Sequence, residues 1–541
     1  MMSVRLPRGV RTAVAGSTAV VAVAALGAVA LLGDQWAQGW TGAEQRAVAA
    51  GTRTVAVAPA EQVRVCPEPV ALPDGADVGD SAFAAAPVPT HDDLGAVVLS
   101  GAEGSDDAAP RSTALDGSEP GGLGQSRADG VRVLRATPVT GRAFRLAGTL
   151  TSVTTQGDLR GLAAGECAAP STSQWLVGGR TTVGATTTLR VQNPTERPAT
   201  VTLDAFGPSG KVALGGGGTF TVAAHAQVTT RLEAVAPEQE RLVVHVASTG
   251  ARVTADLQTQ GIEGLVPAGV DLVTAGASPR TALAVGAVVS HGEAVDDPHA
   301  PRLRLLAPGE DDGAARIRVY GPSGEVTLRG ADAVDLRAGV VTDVPLGGLP
   351  AGSYTVVVDA DVPVVGGGRF DRPGAQPEDS VVSGTPYDVA WSRAQGVPAV
   401  AASAAEAPLG QLALTSGARA GLVLTGVPAD RGPDVDPQGV ARVRVVTYDA
   451  EGAELAARDV EVPAGTSVAL AAASLSPGKA PAAVRVDRAQ EPGDAGVGVT
   501  WSAVLVADDG TGTRRTLVSA LAPTGAVTAA GDVEVRSVDA G

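Results

Sequence analysis

Aromatic side chains, lysine and cysteine are all scarce in this sequence. Aromatics make up 3% of the 541 residues, so the chain has few groups on which bases or sugar rings could stack. Lysine occurs only at Lys211 and Lys479, and the formal net charge of −17 would repel a phosphate backbone. We therefore expect no nucleic-acid partner.

Long helical patterns are also missing, whereas turn-forming residues are abundant. No long stretch has a 3.6-residue hydrophobic period, and the chain contains 70 glycines and 37 prolines. With 44% hydrophobic and 18% charged residues, it can bury substantial cores. Its length is sufficient for three or four domains. These features predict an all-β protein of several domains with many short strands.

One long apolar run lies near the N-terminus, at residues 12–33. Arginines precede it and Asp34 follows it, so it would cross a bilayer with the N-terminus inside. As a helix it would reach about 33 Å, enough for the hydrocarbon core. Trp36 and Trp40 follow as interfacial anchors. We predict a cytoplasmic tip (1–11), a transmembrane signal anchor (12–33) and a juxtamembrane linker (34–51).

A cleaved signal peptide is the alternative interpretation of this run. Ala28-Val29-Ala30 offers an A-x-A-like cleavage site, but the apolar run continues past it. The anchor is the preferred interpretation, and in both cases most of the chain lies outside the cytoplasm. We predict a single-pass protein of the cytoplasmic membrane, with the membrane as one partner. The alternative is secretion.

Cys66 and Cys167 are the only cysteines. Outside the cytoplasm an isolated pair is expected to oxidise to a disulfide. A metal site would need further ligands, and no histidine flanks either cysteine. The bridge would close a loop of roughly 100 residues and stabilise the fold by about 4–5 kcal/mol.

One short phrase occurs three times, as FGPSG at 206–210, YGPSG at 320–324 and, more loosely, YDAEG at 448–452. Each copy follows an alternating apolar–polar segment, and a proline-containing turn and another such segment lie upstream. The aromatic residue would end a strand, and the glycine would close a tight turn. The residues of this repeated turn are Phe206, Gly210, Tyr320, Gly324, Tyr448 and Gly452.

The segments downstream of each copy also match one another, as strand, short turn and strand. Together they give about seven short strands in roughly 100 residues, which is typical of an immunoglobulin-like sandwich. The predicted fold is all-β, with tandem immunoglobulin-like β-sandwich units behind a single N-terminal transmembrane helix. The predicted units are a degenerate β unit with a Gly/Ser/Asp-rich insertion (52–180), sandwiches at 186–280, 300–399 and 418–524, and a tail (525–541).

The sequence identifies no catalytic, cofactor-binding or metal-binding residue. It contains no G-x-S-x-G nucleophile elbow, and paired carboxylates for glycoside hydrolysis would meet only in the fold. Acidic residues at 310–312, Asp434 and Asp436 match no calcium-loop pattern. The densest group of metal-ligating residues lies in a segment that we interpret as a polar linker: His291, Glu293, Asp296, Asp297 and His299.

The order of motifs along the chain is similar to that of a known family. A basic N-terminus and one apolar, membrane-spanning segment come first. They are followed by the motifs CP, C-x-x-P, W-x-x-GG and L-x-x-x-NP and by a turn glycine. The chain resembles DUF family 5719, an actinobacterial set of membrane-anchored or secreted proteins of unknown function. The second repeat departs from the pattern, with Ala307-Pro308 in place of NP. The resemblance implies no activity or cofactor. The residues that carry it are Cys66, Pro67, Cys167, Pro170, Trp175, Gly178, Gly179, Leu189, Asn193, Pro194 and Gly210.

These observations favour an interaction protein over an enzyme. Tandem sandwiches would give extended reach and exposed loops, which suit docking better than a deep active site does. We expect a non-enzymatic, membrane-anchored scaffold of the cell envelope, without a cofactor, whose partner is another envelope protein. The alternative is a module that binds cell-wall glycan, favoured by an exposed aromatic cluster. An envelope hydrolase would need a cleft with two carboxylates or a His–carboxylate pair.

Overall fold

The alternation of apolar and polar residues produces strands, as residues 199–203 illustrate. Ala199, Val201 and Leu203 are buried, whereas Thr200 and Thr202 between them are exposed. Almost every regular element of the described chain is a strand, so the all-β prediction is confirmed. The computed structural model describes residues 52–56, 61–72, 90–100, 123–128, 131–137, 144–328, 330, 333–376, 383–397, 408–432, 438–489, 496–510, 516–525 and 532–536.

Strand β1 (Thr52–Ala56) comes first in the chain and is followed by sandwich A, at residues 62–166. The two sheets of sandwich A have strand orders β2-β5-β4 and β3-β6-β7. The strands are β2 (Gln62–Cys66), β3 (His91–Ser100), β4 (Leu123–Ala128), β5 (Val131–Ala136), β6 (Phe144–Thr154) and β7 (Gly161–Glu166).

Sandwich B occupies residues 173–274 and also contains a short helix α1 (Leu232–Val235) and a 3-10 turn (Gly215–Gly218). One sheet has the order β11-β10-β14-β8, with β12 also on β10, and the other has β13-β9-β15-β16. Its strands are β8 (Ser173–Val177), β9 (Ala185–Gln192), β10 (Ala199–Gly207), β11 (Gly210–Val212), β12 (Thr219–Val222), β13 (Gln227–Arg231), β14 (Val243–Thr249), β15 (Thr254–Glu263) and β16 (Val266–Thr274).

Sandwich C occupies residues 280–396, and its long strand β23 belongs to both sheets. The first part of β23 pairs with β17 and β19, and the later part pairs with β18 and β24. The strands are β17 (Arg280–Ser290), β18 (Arg302–Leu306), β19 (Gly313–Gly321), β20 (Gly324–Val326), β21 (Val334–Leu336), β22 (Thr342–Pro345), β23 (Gly352–Pro373), β24 (Tyr387–Arg393) and β25 (Gln395–Gly396).

Sandwich D occupies residues 408–521 and contains a 3-10 turn (Ala472–Ser474). Its sheets have the orders β26-β31-β28-β29 and β30-β27-β32-β33. The strands are β26 (Pro408–Ala413), β27 (Arg419–Pro428), β28 (Val440–Tyr448), β29 (Glu454–Pro463), β30 (Ser467–Ala471), β31 (Ala483–Arg488), β32 (Val497–Ala507) and β33 (Leu517–Leu521). The last strand, β34 (Asp532–Arg536), pairs with β1, and this ribbon belongs to a unit apart from Ala60–Val527.

The four sandwiches share one topology. In each, the opening strand (β2, β8, β17 or β26) pairs with a strand far along the chain, and the closing strand (β7, β16, β24 or β33) forms a hairpin with the strand before it. β8 lies before the boundary predicted at residue 186, yet it pairs with β14 inside sandwich B. Opening strands have no local partner, so sequence periodicity does not reveal the sandwich to which they belong.

The sandwiches contact one another in a closed ring, A–B–C–D–A. The expectation that the tandem sandwiches would give the chain an extended reach was therefore wrong for residues 60–527. Polar side chains join each sandwich to the next and the last to the first. One hydrogen bond from each junction illustrates this: Arg190 to Pro69 O (3.1 Å), Arg304 to Gly179 O (2.7 Å), Ser467 to Tyr320 O (2.8 Å) and Arg145 to Asp487 (3.0 Å).

The predicted disulfide is confirmed in sandwich A. Cys66 ends β2, Cys167 follows β7, and their sulfurs are 2.08 Å apart. The bridge lies in a buried cluster with Leu134 and Leu146. Gly148 leaves room for it, because a Cβ at that position would lie 2.7 Å from Cys167 Sγ.

Candidate functional site

The closing strands of the four sandwiches meet at one place, where three acidic side chains are buried. Glu166 on β7, Asp271 on β16 and Asp388 on β24 are 3%, 0% and 0% exposed. We refer to these three as the central carboxylates. A buried charge is costly unless hydrogen bonds compensate it. The hydrogen-bond donors of the central carboxylates therefore indicate the role of these side chains.

Asp271 of sandwich B joins the other three sandwiches. Its Oδ1 accepts hydrogen bonds from Ala164 N of sandwich A (3.2 Å) and from Ser519 Oγ of sandwich D (2.8 Å). Its Oδ2 accepts one from Trp391 N of sandwich C (2.7 Å). The closing strands of different sandwiches do not pair with one another in a common sheet. The hydrogen bonds of this one carboxylate link them instead.

Asp388 of sandwich C has the same role toward A and D. Its Oδ2 accepts from Leu162 N of sandwich A (3.0 Å) and from Val518 N of sandwich D (2.7 Å). Its Oδ1 accepts from Val389 N, the next residue on its own strand (3.0 Å). All three partners are backbone N–H donors, and they bond to lone pairs of the two carboxyl oxygens.

Glu166 completes the set from sandwich A. Its Oε1 accepts from Ala522 N just beyond β33 (2.6 Å) and from Arg393 Nε of sandwich C (3.2 Å). Its Oε2 accepts from Thr274 Oγ1 of sandwich B (2.7 Å). Each central carboxylate therefore binds at least two other sandwiches.

Burial changes the acidity of two central carboxylates. It raises the pKa of Asp388 to about 7, against the opposing effects of the backbone donors and of Arg160. It also raises the pKa of Asp271 well above the ordinary value, against its hydrogen bonds from Trp391 and Ser519. A pKa near 7 suits a general acid or base, but a side chain that is 0% exposed cannot contact a substrate.

The repeated aromatic residues lie at junctions between sandwiches. Phe206 shares a buried cluster with Leu306 of sandwich C, and Tyr320 shares one with Val427 of sandwich D. Tyr448 is buried with residues of β3 in sandwich A. The aromatic residue of the repeated sequence is thus the side chain with which each of these three sandwiches contacts the next one.

The turn glycines have the conformation that a tight turn requires. Gly210, Gly324 and Gly452 have φ values of 110°, 108° and 81°, which glycine adopts without the steric cost of a side chain. Nothing lies near a Cβ built at Gly210 or Gly324, whereas one at Gly452 would collide with Val98 O of sandwich A.

An outer sheet face of sandwich B aligns a serine, a histidine and an aspartate. Ser173 Oγ is 2.9 Å from His245 Nε2, but His245 Nδ1 is 3.7 Å from Asp204, longer than a hydrogen bond. Burial lowers the pKa of His245, Trp175 stacks on its ring, and Lys211 pairs with Asp204. Strand β14 is hydrogen-bonded on both sides, so it offers no free N–H groups for an oxyanion. These residues form a cross-strand polar ladder.

The histidine-rich segment at 291–299 is divided between two roles. His291 N donates to Glu293, which closes a local turn. His299 Nδ1 lies 2.9 Å from Asp371 Oδ2, its Nε2 lies 3.6 Å from Glu263, and its ring stacks on Tyr387. No three metal-ligating side chains converge in the part of the chain that the structure describes. His299 thus links sandwich C to the β15–β16 hairpin of sandwich B.

Several predicted positions lie outside the described residues, namely the span at 12–33, Trp36, Trp40, Asp434 and Asp436. Within the described residues no helix is long and apolar enough to cross a membrane. The central carboxylates were missed from the sequence. Their signal was a lone acidic residue inside an apolar closing strand, as in VDLVT and YDVAW, but their partners are distant in sequence.

Comparison with known families gives one match. The sequence model of a family of unknown function, DUF5719, matches residues 123–473, which is well over half of the chain. No curated protein and no solved structure gives a match.

Proposed function

Since the chain belongs to DUF5719, a family of unknown function, we propose its role from its own structure: a non-enzymatic scaffold or interaction protein of the cell envelope. The observation that carries this proposal is the partner set of the central carboxylates. Asp271 and Asp388, whose pKa values are raised by burial, accept hydrogen bonds from residues of other sandwiches and so join them. A ring joined in this way presents its connecting loops at the surface, where they are accessible for docking.

We further propose that residues 12–33 anchor the chain in the cytoplasmic membrane, with Trp36 and Trp40 at the outer interface. The uncharged run and the arginines before it support this orientation. N-terminal sequencing of the protein recovered from membranes tests it. An intact N-terminus supports the anchor, whereas a new N-terminus near Ala30 supports signal cleavage and secretion.

An affinity pull-down of the tagged full chain from solubilised membranes tests the scaffold role. The sample is compared with isolated cell wall incubated with the same protein. We expect an envelope protein to co-purify in a fixed ratio. Retention by the wall polymer alone, with no protein partner, would replace the scaffold by a glycan-binding module.

The structure offers a specific observation against stacking of sugars as the main role. Trp175, Trp391 and Trp501 are 8%, 7% and 1% exposed, so they pack inside the protein. None of these three tryptophans presents a ring face to solvent. Glycan binding therefore remains an outcome of the pull-down and is not the proposal.

A further inference from the structure

The junction between sandwiches B and C contains a small cleft lined by three arginines. Arg180 from sandwich B and Arg304 and Arg369 from sandwich C share it with Glu240 and with neutral residues, and the cavity measures about 30 Å³. That space is on the order of two water molecules. Because the cleft is partly open to solvent, a terminal carboxylate can place its two oxygens in this space while the rest of its ligand stays outside.

Two of these arginines already have acidic partners. Arg304 donates from Nε and Nη2 to Asp343, at 2.8 and 3.0 Å. Arg369 donates from Nη2 to Asp371 at 2.8 Å. Arg180 differs, because its guanidinium has no hydrogen bond or ion pair anywhere in the described part of the chain. The cleft therefore holds one guanidinium whose donors are available.

Arg180 is held in place although its charge is not paired. Its backbone N donates to Thr187 Oγ1 (3.1 Å), and that hydroxyl donates to Arg180 O (2.7 Å). Its Nη2 lies against Gly261, where a Cβ would be only 3.0 Å away. Burial and the neighbouring Arg369 lower the pKa of Arg180, while Asp371 and Glu263 oppose them from beyond ion-pair distance. A partly desolvated cation of this kind is stabilised by an anion.

Gln260 supplies a second available donor in the same cleft. Gln258 is oriented by Ala71, because its Oε1 accepts from Ala71 N (3.1 Å) and its Nε2 donates to Ala71 O (2.7 Å). The same Nε2 donates to Gln260 Oε1 (3.1 Å). The amide of Gln260 is thereby oriented, and its Nε2 has no partner among the described residues.

We propose that this cleft binds the carboxylate end group of a ligand, with Arg180 as a forked donor and Gln260 as a neutral donor. A planar guanidinium matches two carboxylate oxygens. Arg304 and Arg369 are paired with aspartates, and Glu240 also lines the cleft, so the net positive charge there is small and favours a singly charged anion over a doubly charged phosphate. The inference goes beyond the scaffold role and does not depend on it, since the pull-down and the binding test below have separate readouts.

The test measures binding of acetate to the full chain in detergent. Broadening of the acetate methyl signal in the NMR spectrum reports the binding. Ionic strength is kept constant with sodium chloride, and acetamide serves as the uncharged analogue. We expect saturable broadening by acetate and none by acetamide. Phosphate that displaces acetate at lower concentration, or acetate that shows no saturation, would overturn the proposal.

Two variants identify the residue responsible. Arg180→Gln is expected to weaken acetate binding at least tenfold, because a charge-assisted hydrogen bond is lost. The matched control is Arg302→Gln, since Arg302 donates from Nη2 to Pro298 O and does not line the cleft. Unchanged binding in Arg180→Gln would sink the proposal. Should that variant unfold, Arg180→Lys keeps the charge without the fork, and full affinity in it would contradict bidentate binding.

A last comparison identifies the source of the carboxylate. N-acetylalanine represents a polypeptide end and glucuronate represents an acidic sugar, and each competes with acetate. Displacement by either supports the site and names the ligand class. If neither compound competes with acetate, the cleft does not bind the carboxylate end of a larger molecule, and the proposal is overturned.

Discussion

Sandwiches A and B have the same topology but are stabilised by different means. Among the described residues, sandwich B has a large apolar cluster that includes Leu189, Val201 and Val246, whereas the cluster of sandwich A is built around the Cys66–Cys167 bridge. Sandwich B also has the short strands β11 to β13, which have no counterpart among the described strands of A. The comparison shows that hydrophobic burial and a covalent bond can close the same topology.

Sandwich A also shares its core with both neighbours. Leu162 and Ala164 on β7 belong to the buried cluster of sandwich D. Ala163, between them, packs with Val270 and Leu272 of sandwich B. Successive residues of one strand therefore stabilise two junctions, which makes A depend on the ring more than its own small core suggests.

The largest expected effect is removal of the disulfide. The double substitution Cys66→Ala and Cys167→Ala should lower the free energy of unfolding by about 4–5 kcal/mol, because the unfolded chain loses a long cross-link. Hydrogen exchange should accelerate in β2 and β5 more than in β9 and β15. The wild type under oxidising conditions is the reference. Equal acceleration in both sandwiches would mean that A and B do not differ in the way described.

The next effect is loss of a central carboxylate. Asp271→Asn keeps one acceptor oxygen but places an NH₂ group against N–H donors, so we expect a loss of about 3 kcal/mol in thermal unfolding monitored by circular dichroism. Asp204→Asn on the outer face of sandwich B is the control, and its exposed pair with Lys211 should cost less than about 1 kcal/mol. Similar losses in both variants would deny a special role to Asp271.

A smaller loss of stability is expected when a turn glycine is replaced, and the loss should be greater at the junction of D with A than at the junction of C with D. Gly324→Ala and Gly452→Ala both place a side chain at a positive φ, which costs about 1 kcal/mol. Only at Gly452 does the new Cβ meet Val98 O of sandwich A, so Gly452→Ala should cost about 1–3 kcal/mol more. Equal unfolding midpoints for the two variants would show that this contact adds nothing.

The last expected effect is a dependence of stability on pH. Burial raises the pKa of Asp388 from 3.8 to about 7, so the folded state holds a proton that the unfolded state releases. The resulting stabilisation is complete below about pH 4 and is lost as the pH rises through about 7, by at most about 1.4 kcal/mol per pH unit. Asp388→Asn should remove this contribution. Parallel stability curves for variant and wild type between pH 4 and 7 would contradict it.

Local patterns predicted the strands, the disulfide and the repeated phrase, because each depends on residues close in sequence or on composition. The ring could not be predicted in this way. Strand β8 finds its partner β14 some 70 residues later, and Asp271 meets Trp391 and Ser519 only in the fold. The arginine cleft was missed for the same reason, since Arg180 and Arg369 come from different sandwiches. Periodicity identifies which face of a strand is buried, but it does not identify the sheet that covers it.

A ring of repeats has a fixed copy number. In an open array each repeat contacts only its neighbours, so duplication or loss of one unit leaves every remaining interface intact. Here Ala522, beyond the last sandwich, donates to Glu166 of the first, and inserting or deleting a unit would separate that pair. Adding or removing one sandwich in this chain should therefore cost more stability than changing the length of a surface loop.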